Sequence, residues 1–519
     1  MCGIIGATAK YNVQSILLEG LKRLEYRGYD SAGIALTDEH RLLQRIRVKG
    51  KVQHLADSLA TTDIHGHTGI AHTRWATHGK PSELNAHPHV SHNSIAVVHN
   101  GIIENYETLR QNLLNRGYVF ESETDTEVAA HLIHCYFQEH KNLLTAVQFA
   151  AKDLEGAFAL GVIHNETPDT IVAFRKGSPL VVGSSQNEKF IASDTLALNG
   201  FAKEVIYLED GDSLSITPES MQIYSADGQP VSRKTYALPS DTNANSKGPY
   251  RHFMLKEIYE QGQVLEETLE GRISSPKVVR ASFGEHASSL FDKVKHIHIV
   301  ACGTSYHAGM VARYWLESLA GIPTQVEIAS EYRYRDVVVS PDTMFVAVSQ
   351  SGETADTLAA LHKAKQYPYL TSLCICNVPS SSLVRESDSS FLTRAGIEIG
   401  VASTKAFTTQ LVAFLLLAVA LSKDQRAHDV LHQLKTLPEL SKNILEMDKT
   451  IEKLATEFVN KSHTLFLGRG VQYPVALEGA LKLKELSYIH AEAYPAGELK
   501  HGPLALVDEE MPVVAVAPN

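Results

Sequence analysis

The sequence lacks an apolar run long enough to span a membrane. The longest run is LVAFLLLAVAL at Leu411–Leu421, whereas a spanning helix needs about 20 such residues. This run therefore predicts a buried core helix. The chain also starts without the charged segment and the long apolar segment of a secretory signal. Both absences argue against a membrane partner and against a lipid anchor on Cys2, and we expect a cytoplasmic protein.

Basic charge is in short supply. Lys and Arg number 48 against 59 Asp and Glu, which gives a formal net charge of -11. The basic residues are scattered and form no arm or tail. A protein that binds nucleic acid needs a basic surface facing the phosphates. The composition therefore argues against nucleic acid as the main partner.

Cysteine occurs only five times. An odd number in a chain of this length argues against a disulfide framework and favours a reducing compartment. Cys374 and Cys376 lie in the apolar run YLTSLCICNV. Such a run predicts a buried strand rather than a metal site.

The chain of 519 residues is too long for one ordinary domain. The first half holds short strand-like stretches such as GIIGATAK, SAGIALTD and SIAVVHNG, with helical patterns between them. This alternation predicts stacked β layers with helices, an α+β or α/β/β/α arrangement, over residues 1–238. A polar stretch rich in Ser, Asn, Pro and Gly follows, and it predicts a linker at 239–250.

The second half alternates buried strands with helices, which predicts βαβ units and a doubly wound parallel sheet. Two stretches share a pattern of strand, glycine loop, tyrosine and helix. Gly303 and Tyr306 in the first stretch correspond to Gly470 and Tyr473 in the second. We therefore predict two copies of one module, at 251–430 and 431–519.

Cys2 stands directly behind the initiator methionine. If Met1 is removed, the new α-amine, with a pKa of about 7.7 to 8.0, can take the thiol proton. This arrangement combines nucleophile and base in one residue. The alternative is a merely buried cysteine, and taken alone the start MCG favours catalysis only slightly.

Three further stretches in the first half favour a catalytic site. HTRWATHG carries Arg74, a residue suited to gripping a carboxylate. HNGIIEN carries Asn100 and Gly101, whose amide and backbone N–H can form an oxyanion hole. SETDTE carries Asp125, which can hold an ammonium group. With a thiolate, these groups describe a site for an amino acid with a reactive carbonyl, although each one alone is also a common loop residue.

Two loops of the second half predict an anion site. ACGTSYHAG and SQSGETADT each follow a buried strand and open a helix, where free N–H groups and hydroxyls favour phosphate. A simple helix cap is the alternative for either loop alone. The chain has no GxxxxGK[ST] motif, and the pattern beginning at Gly468 lacks the third glycine of a dinucleotide loop. These features favour a small phosphorylated metabolite over a nucleotide.

Five histidines between His72 and His92 raise the possibility of a metal site. We reject it, because His87 and His89 have no Cys or His partner at a zinc-finger spacing.

The motifs MCGIIG, LEYRGYDSAG, HTRWATHG, HPHV, HNGIIEN and SETDTE resemble the glutaminase domain of the N-terminal-nucleophile amidotransferases. The resemblance implies that Cys2 attacks the glutamine carboxamide and that Asn100 and Gly101 stabilise the oxyanion. It implies that Asp125 holds the amino group of the substrate. The other implied glutamine-binding residues are Arg74 on the carboxylate, Thr77 and His78 in the same loop, and Trp75 as a gate on an ammonia channel.

The motif SQSGET and the two-copy pattern resemble the SIS (sugar isomerase) phosphosugar module. The resemblance implies that Glu485 moves a proton between C1 and C2, with Lys482 one helical turn away, and that His501 of a neighbouring subunit opens the sugar ring in a homodimer. It further implies fructose 6-phosphate contacts with Thr304, Ser305, Ser349, Gln350, Ser351, Thr354, Val401, Ala402 and Ser403.

Together the two resemblances imply an aminotransferase that makes glucosamine 6-phosphate from fructose 6-phosphate and glutamine without a metal or organic cofactor. A phosphosugar-sensing regulatory protein and an amidophosphoribosyltransferase are the alternatives. Relatives with SIS modules continue beyond the position of Asn519, where a tail lysine forms a Schiff base with the sugar. We therefore expect the second module to be truncated here.

Overall fold

The computed structural model describes residues 2–25, 28–75, 79–238, 247–274 and 277–518. The chain divides into two compact units, Met1–Ser246 and Lys247–Asn519. Most of the predicted linker lies outside the described residues.

The first unit consists of strands and five α-helices within its described part. The strands are β1 (Gly3–Ala9), β2 (Ser31–Thr37), β3 (Leu43–Lys49), β4 (Thr68–Arg74), β5 (His89–Ser91), β6 (Ile95–Ile103), β7 (Gly156–His164), β8 (Ile171–Lys176), β9 (Val181–Ser185), β10 (Glu188–Ala192), β11 (Glu204–Tyr207), β12 (Ser213–Ile216), β13 (Met221–Tyr224), β14 (Pro230–Val231) and β15 (Thr235–Ala237). The helices are α1 (Gln14–Leu24), α2 (Val52–Thr61), α3 (Tyr106–Asn115), α4 (Asp125–His140) and α5 (Leu143–Asp153).

Two antiparallel sheets form the centre of this unit. One has the order β15-β11-β9-β10-β1-β4-β2-β3, and the other has the order β14-β13-β12-β8-β7-β6-β5. Successive residues of a strand point to opposite faces. In β1, Ile4 accordingly lies in the core between the sheets, whereas Ile5 lies in the core beneath α1 and α2. A third core joins the second sheet to α3, α4 and α5. The predicted α/β/β/α arrangement is confirmed.

The second unit begins with a helical pair and continues through two parallel sheets. Its helices are α6 (Phe253–Tyr259), α7 (Gln261–Leu269), α8 (Glu285–Leu290), α9 (Gly303–Trp315), α10 (Ala329–Tyr332), α11 (Ala355–Ala364), α12 (Ser382–Glu386), α13 (Lys405–Leu421), α14 (Arg426–Leu434), α15 (Leu437–Leu445), α16 (Asp448–Ala455) and α17 (Gln472–Ser487). Its strands are β16 (Ile273–Ser274), β17 (Lys277–Val278), β18 (His296–Ala301), β19 (Thr324–Ile328), β20 (Thr343–Ser349), β21 (Thr371–Cys376), β22 (Ser389–Leu392), β23 (His463–Gly468), β24 (His490–Pro495) and β25 (Val513–Val516).

The larger sheet of the second unit is parallel throughout, in the order β19-β18-β20-β21-β22. Hydrophobic cores cover both of its faces, as expected for a doubly wound fold. The chain runs from β18 to β19 on one side and then returns to β20 on the other. The order of the strands therefore reverses between β18 and β20, and such a switch point opens a crevice at the carboxyl ends of the strands.

The predicted repeat has a structural counterpart. β18 leads into α9 through Gly303, and β23 leads towards α17 through Gly470. These glycines have φ values of +53° and +57°, a left-handed conformation that suits glycine. The smaller sheet has the order β24-β23-β25, and both of its pairings are parallel.

Two predictions for apolar runs are confirmed. Leu411–Leu421 lies within α13, most of whose residues are buried, and Cys374 and Cys376 lie in the buried strand β21. In the described part of the chain, no helix combines the length and the hydropathy needed to cross a membrane.

Leu17 tests the packing beneath α1. Its side chain is fully buried in the core between α1 and the first sheet, so we expect Leu17→Ala to lower the free energy of unfolding by about 2–5 kcal/mol. The measurement is hydrogen exchange of the β1 and β4 amides against urea concentration. Lys22→Ala on the same helix is the control, because its side chain is 47% exposed. If the β1 and β4 amides of the two variants lost their protection at the same urea concentration, this packing would be contradicted.

Candidate active sites

Cys2 lies at the start of β1, beside the end of β4. The antiparallel register pairs Gly3 with Thr73, which brings Cys2 against the backbone of Trp75. The Trp75 N–H donates to the Cys2 Sγ at 3.3 Å, and the thiol faces the Trp75 carbonyl at 3.5 Å. Burial raises the pKa of the Cys2 thiol, while the Trp75 N–H and the Arg74 guanidinium act in the opposite direction. The resting thiol therefore needs a base to become a nucleophile.

Asn100 reaches the same position from the second sheet. Its Nδ2 donates to the carbonyl oxygen of Cys2 at 3.1 Å, and its Oδ1 lies 3.0 Å from the Nε2 of His72. Asn100 is 7% exposed, so its amide sits in a largely dry environment. An amide donor held beside a nucleophile is suited to stabilising an oxyanion.

Gly101 follows Asn100 in β6 with a φ of +122°. A Cβ at this position would lie only 2.0 Å from the carbonyl oxygen of Ala157 on the neighbouring strand. Both the backbone conformation and the close approach of β7 therefore require glycine here.

Asp125 begins α4 and is almost fully buried. Its Oδ2 accepts a hydrogen bond from the Ile103 N–H at 3.0 Å and lies 3.9 Å from the Nδ1 of His99. Thr124 caps the helix by accepting from the Glu127 N–H. The Asp125 carboxylate is thus fixed at Ile103, the last residue of β6. Asn100 and Gly101 belong to the same strand.

Arg74 is the last residue of β4 and is 3% exposed. Burial lowers the pKa of its guanidinium, whereas the charges of Cys2 and Asp125 act to raise it. The three groups therefore lie close enough to interact electrostatically. Gly28 packs on this segment, since a Cβ there would lie 2.7 Å from the Arg74 carbonyl carbon.

Trp75 differs from its neighbours because its side chain is exposed. The ring is 43% accessible and meets Tyr29 edge-on, with centroids 5.4 Å apart. The predicted residues Thr77 and His78 lie outside the described residues.

His72, His87 and His89 form a buried cluster. His72 stacks on His87 at 4.1 Å, and His87 meets His89 at 5.0 Å. Burial lowers the pKa of His72 to about 3 and lowers the pKa values of His87 and His89 well below their usual range. All three rings are therefore neutral near pH 7. Sequence patterns alone do not predict this buried cluster of neutral histidines.

The predicted anion loops of the second unit flank the switch point between β18 and β20. Thr304 and Ser305 occupy the first turn of α9, directly after β18. Ser349 ends β20, and Thr354 directly precedes α11. Because β18 and β20 are adjacent parallel strands, their carboxyl ends bring the two loops to the same crevice.

Hydrogen bonds within the SQSGET loop fix its shape. The Ser349 Oγ accepts from the Gly352 N–H at 3.0 Å and lies 3.0 Å from the Thr354 hydroxyl. The Ser351 Oγ accepts from the Glu353 N–H at 3.2 Å, and the Gln350 carbonyl accepts from the Asn377 N–H. Gly352 has a φ of +67°. These hydrogen bonds make the loop an ordered turn, and its hydroxyl groups lie at the start of α11.

Glu478 on α17 is a residue that the sequence analysis did not identify. Its carboxylate accepts from the Thr304 hydroxyl at 2.9 Å and lies 2.7 Å from the His307 Nδ1 and 3.4 Å from the Lys482 Nζ. Burial alone would raise its pKa, but the contacts with His307 and Lys482 outweigh burial and hold the pKa below its usual value. Glu478 precedes Lys482 by one helical turn on the same face, and that spacing could have revealed it.

Lys482 connects this carboxylate to the predicted base. Its Nζ lies 2.7 Å from the Glu485 Oε2 and 3.2 Å from the Thr304 Oγ1. The Glu485 side chain is 35% exposed, so it faces an open region. His501 ends an exposed turn, Glu498–His501. No hydrogen bond or ion pair within the described residues joins His501 to Lys482 or Glu485.

The loop before α13 carries the remaining predicted sugar contacts. Val401 is 61% exposed and Ala402 is buried, while the Ser403 hydroxyl donates to the Glu398 Oε2 at 2.9 Å. In the described ranges, no hydrogen bond links these three residues to Thr304 or to the SQSGET loop.

Comparison with known proteins assigns a family to both units. Residues 72–200 match the glutamine amidotransferase domain, and residues 290–420 and 457–519 match the SIS domain. The chain is 68% identical over its whole length to a protein from Legionella pneumophila strain Lens, and it covers 86% of that protein. It is 59% identical to a protein from Pseudomonas aeruginosa, again over 100% of this chain and 86% of the relative. Both relatives are named glutamine–fructose-6-phosphate aminotransferase (isomerizing).

The chain belongs to this family. A solved structure agrees for the second unit: the C-terminal domain of glucosamine-fructose-6-phosphate aminotransferase from Francisella tularensis is 57% identical, with a TM-score of 0.52. The alignment covers 53% of this chain and 78% of that one. In this enzyme family an SIS domain accompanies the glutaminase domain. Family membership therefore supports neither a phosphosugar-sensing regulatory protein nor an amidophosphoribosyltransferase.

Gly101 provides a test of the glutaminase site. We expect Gly101→Ala to lower glutamine hydrolysis by a hundredfold or more, because the Cβ would clash with Ala157 and displace Asn100; loss of one oxyanion donor costs about 10²–10³. The measurement is glutamate release. The control is Gly117→Ala, which also has a positive φ but meets no atom within 4 Å. Equal loss of hydrolysis in both variants would contradict a specific role for Gly101.

Glu478 provides a test of the second site. We expect Glu478→Gln to slow amination of the sugar about tenfold to a hundredfold, since a hydrogen bond to a charged group contributes about 1.5–3 kcal/mol. Glutamine hydrolysis, measured in parallel as glutamate release without sugar, should stay unchanged. The exposed Glu452 on α16 gives the control variant Glu452→Gln. Sugar amination at the normal rate in Glu478→Gln would exclude Glu478 from the site.

Proposed function

We propose that the chain transfers the amide nitrogen of glutamine to fructose 6-phosphate, forming glucosamine 6-phosphate and glutamate. The observation that carries this proposal is the presence of two distinct sets of groups on one chain of the family. In one set, the Cys2 thiol is accompanied by Arg74, which can bind a carboxylate, and by the amide donor of Asn100. The other places hydroxyl-rich loops at a switch point beside a Lys–Glu pair.

In the first unit, we propose that Arg74 binds the α-carboxylate of glutamine and that Asp125 binds its ammonium group. These contacts would place the side-chain carboxamide at Cys2. After removal of Met1, the α-amine of Cys2 would take the thiol proton, and the sulfur would add to the amide carbon. Asn100 and Gly101 would stabilise the resulting oxyanion. The α-ammonium would then return this proton to the substrate nitrogen, so that ammonia leaves, and water would release glutamate from the thioester.

In the second unit, we propose that the phosphate binds at the starts of α9 and α11, where hydroxyls and N–H groups converge. Thr304, Ser305, Ser349, Gln350, Ser351 and Thr354 would hold it, with Val401, Ala402 and Ser403 along the sugar. Glu485 would carry the proton from C1 to C2 during isomerisation, and Lys482 would keep the carboxylate oriented. His501 would open the ring, and we propose that it comes from the second subunit of a homodimer.

We further propose that ammonia passes from one unit to the other inside the protein, with Trp75 as its gate, and that the enzyme is cytoplasmic. The exposure of Trp75 and the edge-on contact of its ring with Tyr29 are compatible with a side chain that changes position. The five cysteines are free, as expected in a reducing compartment.

Cys2 tests the complete reaction. With ¹⁵N-amide glutamine and fructose 6-phosphate, we expect mass spectrometry to detect labelled glucosamine 6-phosphate. Cys2→Ala should abolish both the labelled product and glutamate, because the nucleophile is gone, whereas added ammonia should still support amination. Cys135→Ala is the control, since Cys135 is buried in α4. Glutamate release that persists in Cys2→Ala would refute the assignment of the nucleophile, and absence of labelled product from the unsubstituted chain would refute the overall reaction.

A further inference from the structure

The bond between His72 and Asn100 joins the two sheets of the first unit. His72 belongs to β4 in one sheet, and Asn100 belongs to β6 in the other. The His72 Nε2 and the Asn100 Oδ1 are 3.0 Å apart, and His72 has no exposed surface. The side chain that approaches the nucleophile is thus supported from behind by a buried ring.

The chemistry of the neighbours decides which way the amide points. A backbone carbonyl can only accept a hydrogen bond, so the group of Asn100 that contacts the Cys2 carbonyl at 3.1 Å must be Nδ2. Oδ1 therefore faces His72. Because that oxygen only accepts, the His72 Nε2 must carry the proton, and the neutral ring has a bare Nδ1.

The surroundings keep His72 in this neutral form. Burial lowers its pKa to about 3, and the charges of His99 and Arg74 act in the same direction, whereas the hydrogen bonds with Asn100 and with the His99 backbone oppose them without outweighing burial. The His72 Nδ1 meets no hydrogen-bond partner at bonding geometry among the described residues, and the backbone of His99 is the other polar group that acts on the ring. The ring stacks on His87, whose Nε2 lies 3.2 Å from the Thr126 hydroxyl on α4. The orientation of the ring is therefore set by packing.

We propose that His72 is a positioning residue for amide hydrolysis at Cys2. Its Nε2–H fixes the amide of Asn100 so that Nδ2 is available to donate to the substrate carbonyl oxygen, which becomes negatively charged during attack. Without this donor, the amide can turn by half a rotation and present Oδ1 to the forming oxyanion, which repels it. The inference rests on the proposed glutaminase function, but it concerns a residue outside the substrate contacts.

The test uses the full chain with His72→Leu, which removes the donor, and His72→Gln, which retains an N–H donor. We expect His72→Leu to lower kcat for glutamine hydrolysis about tenfold to a hundredfold, which is less than the 10²–10³ cost of deleting an oxyanion donor outright. KM should change less than about twofold, because Arg74 and Asp125 hold the substrate. His72→Gln should recover most of kcat. His164→Leu is the matched control, since His164 is also buried but stacks on Phe137.

A second measurement separates positioning from general damage. The γ-aldehyde analogue of glutamine adds to a thiol and forms an oxyanion-like adduct without turnover. We expect His72→Leu to weaken inhibition by this aldehyde by the same factor as kcat, with inhibition by glutamate unchanged. In an Asn100→Ala background, adding His72→Leu should have little further effect, because coupled residues are non-additive. If the leucine variant does not fold, His72→Asn takes its place, since the shorter amide stops short of Asn100.

Several outcomes would overturn the inference. One is a normal kcat in His72→Leu, and another is equal loss of aldehyde and glutamate binding. A histidine-like step in the pH profile of kcat that disappears in His72→Gln would instead make His72 an acid or base. Failure of the proposed function has a different signature, which is absence of glutamate formation by the unsubstituted chain and by His164→Leu alike.

Discussion

The pairing of β1 with β4 is the constraint on which the glutaminase site depends. The register that sets Gly3 opposite Thr73 places the Cys2 sulfur against the Trp75 backbone and leaves Arg74 beside it. The backbone hydrogen bonds between β1 and β4 therefore set the position of Cys2. In a strand of period two, a slip by one residue would turn every side chain to the opposite face. The buried faces of β1 and β4 make such a slip costly.

The second sheet and the helix that packs on it supply the other polar groups of the site. β6 carries Asn100 and Gly101, and α3 and the loop after it lead to α4, where Asp125 is fixed by the Ile103 N–H. The buried histidines His72, His87 and His89 are neutral, so they add no positive charge beside Arg74. The site is therefore assembled at the contact of two layers, each of which has its own core.

The sequence was informative wherever function is concentrated in short motifs. The layers, the doubly wound sheet, the repeat around Gly303 and Gly470 and the buried strand with Cys374 all follow from local patterns. His72 and Glu478 were missed for a physical reason. Their importance depends on partners far away in the chain, Asn100 for one and Thr304 for the other, and hydrophobic periodicity carries no information about such pairs. Likewise, the sequences of α14, α15 and α16 contain no motif and show only an amphipathic pattern.

The alternation along β4 also restricts how this segment can change in length. His72 bonds to Asn100 and Arg74 couples to Cys2 and Asp125, and these two residues are spaced by the strand's own repeat of two. An insertion or deletion of one residue between them would send one of the two side chains to the helix-covered face of the sheet. A change of two would keep both facing inward but shift one along the strand. Substitutions within this strand leave the spacing of His72 and Arg74 intact, whereas a gain or loss of one residue between them cannot.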